Sequence, residues 1–185
     1  MQKSPAPQPL PAPEFSRTVV VATLPAAGQT LTVEASEAER LALARRFQLA
    51  ELRALAATVR VKPVRGGRVV RVDGHFVAEV VQTCVVTLEP IASRIGEDFV
   101  AYFAEPDLIA APAREIDLDP EQEEEPEPIE GGKIDIGEVA SQHLALALDP
   151  YPRKPGASLA EVEAGAGDEP TGQPFGVLSH LARRH

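Results

Sequence analysis

From Phe15 the chain alternates, with Phe15, Arg17, Val19, Val21 and Thr23 on one side of an extended backbone and Val20, Ala22 and Leu24 on the other. This predicts a first strand that stops at Pro25. Ser36-Glu-Ala-Glu39 then has the spacing of a capping box, in which the serine oxygen serves the first turn and the glutamate reciprocates. A helix over residues 37–48 follows, laying Leu43, Phe47 and Ala50 on the core with Arg40, Arg45, Arg46 and Glu51 around the other positions. Beyond Leu52 the period returns to two: Val59, Val61 and Pro63 face one way, Thr58, Arg60 and Lys62 the other. Gly66-Gly67 supplies the positive φ angles of a hairpin turn. The second hairpin strand carries Val70, Val72, Gly74, Phe76, Ala78 and Val80 on one face, with Gly74 marking a bend or bulge. A further strand spans 94–103. A second capping-box spacing, Asp135 to Glu138, opens a helix over 135–148 that points Val139, Ala140, His143, Leu144 and Leu148 inward and stops at Asp149-Pro150.

Several strands with one helix inserted early, and no βαβ repeat, predict an α+β fold: an antiparallel, strongly bent or barrel-like sheet with two main helices. The domain is expected over 14–150. Residues 1–13 alternate proline with small or polar residues and read as a disordered leader. Residues 105–132, with the acidic cluster and five prolines, read as a mobile loop. Residues 151–174, rich in Pro, Gly and Ala, read as a linker to a short C-terminal helix through Phe175, Leu178 and Leu181.

At 185 residues, 44% of them hydrophobic, the chain suits one domain with a buried core. The formal net charge is −10, yet residues 104–130 hold eleven acids against the single base Arg114, so the rest of the chain is balanced. Bulk charge is therefore a poor guide to partners, and a local basic face can still meet phosphate. One cysteine excludes an internal disulfide framework, and no apolar run is long enough to span a membrane. With no signal-peptide pattern at the N-terminus, the expected compartment is the cytoplasm.

Catalytic templates fail. Cys84 has no sequence-local histidine and reads as a buried structural thiol, and His75, His143, His180 and His185 fall singly, so no metal is expected. Phosphate-loop, dinucleotide, serine-hydrolase and zinc-protease patterns are absent from the sequence, and no enzyme activity or cofactor is expected. Glu121, Glu123, Glu124, Glu125 and Glu127 form a solvated charge run that suits a basic protein partner better than acid–base chemistry. The run with most binding potential is Arg60, Lys62, Arg65, Arg68 and Arg71, five bases and no acid within twelve residues. On one face of a hairpin they would bridge phosphates; equally, arginines there serve solubility and edge protection, and no aromatic is interleaved among them.

Several blocks recur in a known order: Val-Gln-Thr-Cys84-Val-Val-Thr-Leu-Glu89-Pro90-Ile, a strand from Ile95 to Phe103, an acidic spacer, Ile134-Asp135-Ile-Gly-Glu138, Leu144-Ala-Leu-Ala-Leu-Asp-Pro150 and Pro174-Phe175-Gly-Val-Leu178. This arrangement resembles the YceD-like family of large ribosomal RNA subunit accumulation proteins, long catalogued as a domain of unknown function, over roughly residues 15–182. The resemblance implies a bacterial or organellar cytoplasmic factor for accumulation or processing of large-subunit ribosomal RNA. It also implies structural roles for Cys84, Glu89, Pro90, Asp135, Glu138, Pro150 and Phe175. Many members of the family place a second cysteine three residues after the first, and some a further pair, a zinc set; here Thr87 stands at that position and no later cysteine exists. Two mechanisms follow: direct RNA contact through the basic hairpin, or an acidic adaptor escorting a basic ribosomal protein. Neither needs a membrane, a small-molecule substrate or more than a monomer.

Overall fold

Three long strands carry the molecule: β3 (Glu51–Val64), β4 (Val69–Thr83) and β5 (Pro90–Ala104). The computed structural model, which describes residues 12–109 and 125–157, pairs them antiparallel, Lys62 opposite Arg71 and Arg71 opposite Tyr102. Period-two sequence fixes the faces. Leu55, Ala57, Val59 and Val61 of β3, Val70, Val72, Phe76, Ala78 and Val80 of β4, and Phe99, Ala101 and Phe103 of β5 are buried on one side. The polar positions between them line the other. Slipping any strand by one residue would exchange the two sets, so the register is strongly specified.

The remaining elements complete that frame. β1 (Thr18–Val20) pairs with β7 (Lys133–Asp135) as a separate two-stranded ribbon. β2 (Gln29–Glu34) adds to the free edge of β3, and β6 (Glu127–Pro128) runs parallel to the end of β5. α1 (Glu37–Arg46), the single turn α2 (Pro106–Ile109) and α3 (Ile136–Ala147) are the helices. Leu43 and Ala44 of α1 and Val139, Ala140 and Leu144 of α3 join the sheet's inner face in one core with Phe15, Val19 and Ile134. Each large apolar side chain so covered contributes about 1.5–3 kcal/mol.

The α+β class holds, with a sheet of order β2-β3-β4-β5-β6 that is antiparallel except at β6. Because β2 and β6 do not pair, the sheet is open and no closed barrel forms. Other expectations need correction. The first strand shrinks to Thr18–Val20 because Val21–Thr23 turns as a 3-10 helix. Gly74 makes no bulge: its ladder is unbroken, and the register shift lies in β3 between Leu52 and Ala54. Gly74 is needed for space instead, since a Cβ there would collide with the Phe99 ring. Glu138 does not close a capping box; Asp135 alone caps α3, accepting from the Gly137 and Glu138 amides, while Glu138 pairs with Arg46. β2 is an addition to the sequence pattern, since its Thr-rich alternation offers only Leu31 and Val33 inward.

The expected loop 105–132 is structured at both ends. α2 follows β5 directly, and Ile129 is buried, its amide donating to the Ala104 carbonyl at 2.8 Å. The packed body also runs past Pro150, because Pro152 accepts from the Val85 amide at 2.9 Å and Asp149 from the Gln82 side chain at 2.8 Å. The leader through residue 11 and the Phe175 helix lie outside the described residues.

Candidate nucleic-acid interface

The hairpin turn is built by three successive left-handed residues, Arg65 (φ 51°), Gly66 (70°) and Gly67 (84°). Glycine tolerates that geometry freely and arginine does not, so the paired glycines carry most of the reversal. The turn brings β3 and β4 back in register and sorts the five predicted bases. Arg60, Lys62 and Arg71 point to the outer, solvent-facing side of the sheet, in rows Thr30–Arg60–Asp73 and Lys62–Arg71–Tyr102. Arg65 and Arg68 sit beyond them at the turn, both exposed.

Lys62 and Arg71 are like charges directly opposite one another, an arrangement that costs stability unless offset. Asp73 offsets it: its carboxylate accepts from Arg71 Nε at 2.8 Å and lies 2.6 Å from its terminal nitrogen. The same carboxylate holds the Arg71 guanidinium even more firmly protonated than usual. Among the described residues Arg60 donates to the Ala27 carbonyl, at 3.4 Å. The hairpin sequence interleaves no aromatic among the bases, but β5 supplies one. Tyr102 lies beside Arg71 on the outer face, the guanidinium carbon 5.8 Å from the ring centre. Only cross-strand register reveals it, because Tyr102 is 31 residues away along the chain from Arg71.

One pleat further toward the turn the outer face becomes apolar. Val69 and Ala104 have the same facing as Arg71 and Tyr102 yet are 6% and 2% exposed, because Leu108 and Ile109 of α2 and Pro126 close over them. Between these side chains, Arg65, Arg68 and Glu125 lies a cleft of about 390 Å³. Of the acidic candidates, Glu125 thus faces two of the bases, Glu127 lies on β6, and Glu121, Glu123 and Glu124 lie outside the described residues. Glu127 also lines a second, wider groove of about 720 Å³ with Glu14, Glu130, Asp135 and Glu138. There Arg46 bridges Glu138 in a two-pronged pair at 2.7 and 2.9 Å and reaches Glu14 at 2.9 Å.

Of the family-motif residues, Cys84, Glu89, Pro90 and Pro150 lie at the opposite end of the sheet. Cys84 is fully buried beneath the turn that links β4 to β5, and its sulfur accepts from the amides of Thr87 and Lys154, each at 3.4 Å. Lys154 Nζ meets Glu89 at 2.8 Å, and the pair lowers the carboxyl and raises the ammonium pKa. Hydrogen bonding from Thr87, then from the Lys154 amide, outweighs the cost of burial and lowers the Cys84 thiol from 9.0 to about 6. The donor set does not fit a zinc ion: Thr87 and Lys154 occupy the sulfur, and among the described residues no three His, Cys, Asp or Glu side chains converge. Asp135 and Glu138 hold the start of α3, whereas Pro90 begins β5 and Pro150 follows α3. Phe175 lies outside the described residues.

No helix among the described residues is long and apolar enough to cross a membrane. Residues 72–181 match the family model described as Large ribosomal RNA subunit accumulation protein YceD. That stretch takes in the Cys84 turn, Tyr102 and α3 but begins just after Arg71, so the basic cluster is distinguished by its geometry alone. No curated protein and no solved structure matches the chain.

Proposed function

The chain belongs to the YceD family of large ribosomal RNA subunit accumulation proteins, and from that premise we propose that it acts as a non-enzymatic cytoplasmic factor that contacts the RNA directly. One observation carries this reading: Arg60, Lys62, Arg65, Arg68 and Arg71 are gathered at one end of the sheet, three of them on its open outer face. Phosphate contacts supply most of the affinity of such surfaces by releasing condensed counterions. Asp73, Glu105, Asp107, Glu125 and Glu127 lie at the same end, so the reading rests on how the bases are arranged on the outer face and not on an excess of positive charge. Replacing all five bases with Gln should weaken binding to large-subunit RNA. It should also flatten the salt dependence by about 0.7 in slope for each single-strand phosphate that is no longer neutralised. Unchanged affinity and slope would remove the reading.

A second reading, escort of a basic ribosomal protein, is favoured by the groove in which Glu127 and Glu130 stand exposed beside Glu14 and Glu138. If a basic partner sits there, Glu127→Gln with Glu130→Gln should release it from nuclease-treated pull-downs. Retention of the partner would leave the RNA reading alone.

A further inference from the structure

Resting on the direct-RNA reading, we propose that the ligand of the basic end is single-stranded RNA, with one base stacked on Tyr102 and its neighbour seated in the cleft beside Arg65 and Arg68. Charge alone would accept a duplex as readily, but the outer face offers more than charge. Tyr102 is half-buried and flanked by the Arg71 guanidinium at 5.8 Å. The guanidinium over the ring forms with it a layered platform, on the free side of which an unpaired base can stack the flat π face that a paired, stacked base hides.

The cleft continues that platform. Val69 and Ala104, its floor, lie two residues along β4 and β5 from Arg71 and Tyr102 on the same face. Two residues of strand span about 7 Å, a reach that a splayed single strand can bridge between consecutive bases. Apolar carbon on the walls, from Leu108, Ile109 and Pro126, suits a base, while Arg65 and Arg68 at the rim suit the phosphates that enter with it. Glu125 at the same rim disfavours phosphate deep inside and offers an acceptor to a base amino group. Lys62, opposite Arg71, lies where the backbone would leave. In a duplex neither the ring nor the cleft could touch a base, and only the cations would be used.

The test uses the full chain, a labelled mixed-sequence RNA oligonucleotide and the same oligonucleotide annealed to its complement, with affinity read by anisotropy. The single strand is expected to bind about ten-fold tighter or more. Tyr102→Ala should lose about ten-fold, with Tyr102→Phe retaining wild-type affinity. Leu108→Gln, which makes the apolar cleft wall polar without changing the charge beside Arg65 and Arg68, should also weaken the single strand while leaving the duplex unaffected. Equal binding of both RNAs, or a Tyr102→Ala variant matching wild type, overturns the inference. If the five-base variant loses binding while the Tyr102 and Leu108 variants keep it, direct RNA contact stands and single-strand selection falls. If the wild-type chain binds neither RNA, both fall.

Discussion

Cys84 shows how far a residue's surroundings can move its chemistry. Thiols in apolar cores stay protonated, yet here the Thr87 and Lys154 donors favour the thiolate and bring the group to about 6. An acid whose folded pKa is lowered adds stability that is complete above its unfolded value of 9.0 and is lost as pH falls through about 6. Thiolate absorbance in the folded protein should therefore titrate with a midpoint near pH 6, and Cys84→Ser should lose the stability gain between pH 6 and 9. A midpoint near the ordinary thiol value would show that the Thr87 hydroxyl and the Lys154 and Thr87 amides do not hold the anion. Gly74 acts through space rather than charge. Its missing Cβ admits the Phe99 ring, which stacks on His143 of α3 at 4.4 Å and so ties the sheet to that helix.

At the level of elements, the two helices are fixed by their first turns. Ser36 and Glu39 close a capping box on α1, and Arg17 reaches across to Glu39 with bonds of 2.7 and 3.0 Å. The Arg17 hydrogen bond is the main reason the Glu39 carboxyl falls to about 2. Its lowered pKa stabilises the fold fully above the ordinary 4.5, and that contribution disappears as pH falls from 4.5 to 2. Glu39→Gln should accordingly cost about 1 kcal/mol at neutral pH, with the gap to wild type closing by the acid end of that window in denaturant titrations. A gap independent of pH would assign the loss to packing. Much of this was legible in sequence: the Ser36 box, the inward stripe of α3 and the faces of β3 to β5 all follow from short-range spacing. What stayed hidden depends on distant partners. Asp135 reads as half of a box until Arg46, 92 residues from Glu138, claims the other half. Ile129 reads as part of a polar loop until the end of β5 gives it a carbonyl and a core to enter.

As a whole, the molecule is a long open sheet, covered on its inner face, with a basic turn at one end and the Cys84 turn at the other. That polarity separates the proposed RNA contact from Cys84, Glu89, Pro90 and Pro150, which secure the far end, whereas Asp135 and Glu138 hold the start of α3. The chain leaves the described body at Ile109 and re-enters it at Glu125, and both line the same cleft. Replacing residues 110–124 with a short Gly-Ser linker should therefore leave the thermal midpoint close to wild type, since no described core residue is removed. The same deletion extended through Ile129 should cost about 2–5 kcal/mol by emptying a core site. Equal losses for the two deletions would refute the distinction. The paired exits of that cleft have a consequence for how such a chain can vary. Where two ends are already held together, each doubling of the length between them costs only about 0.6 kcal/mol. The cleft is thus an insertion port: sequence can be lengthened, shortened or exchanged for foreign cargo there, delivered beside the arginines, with the β-sheet left to fold as before.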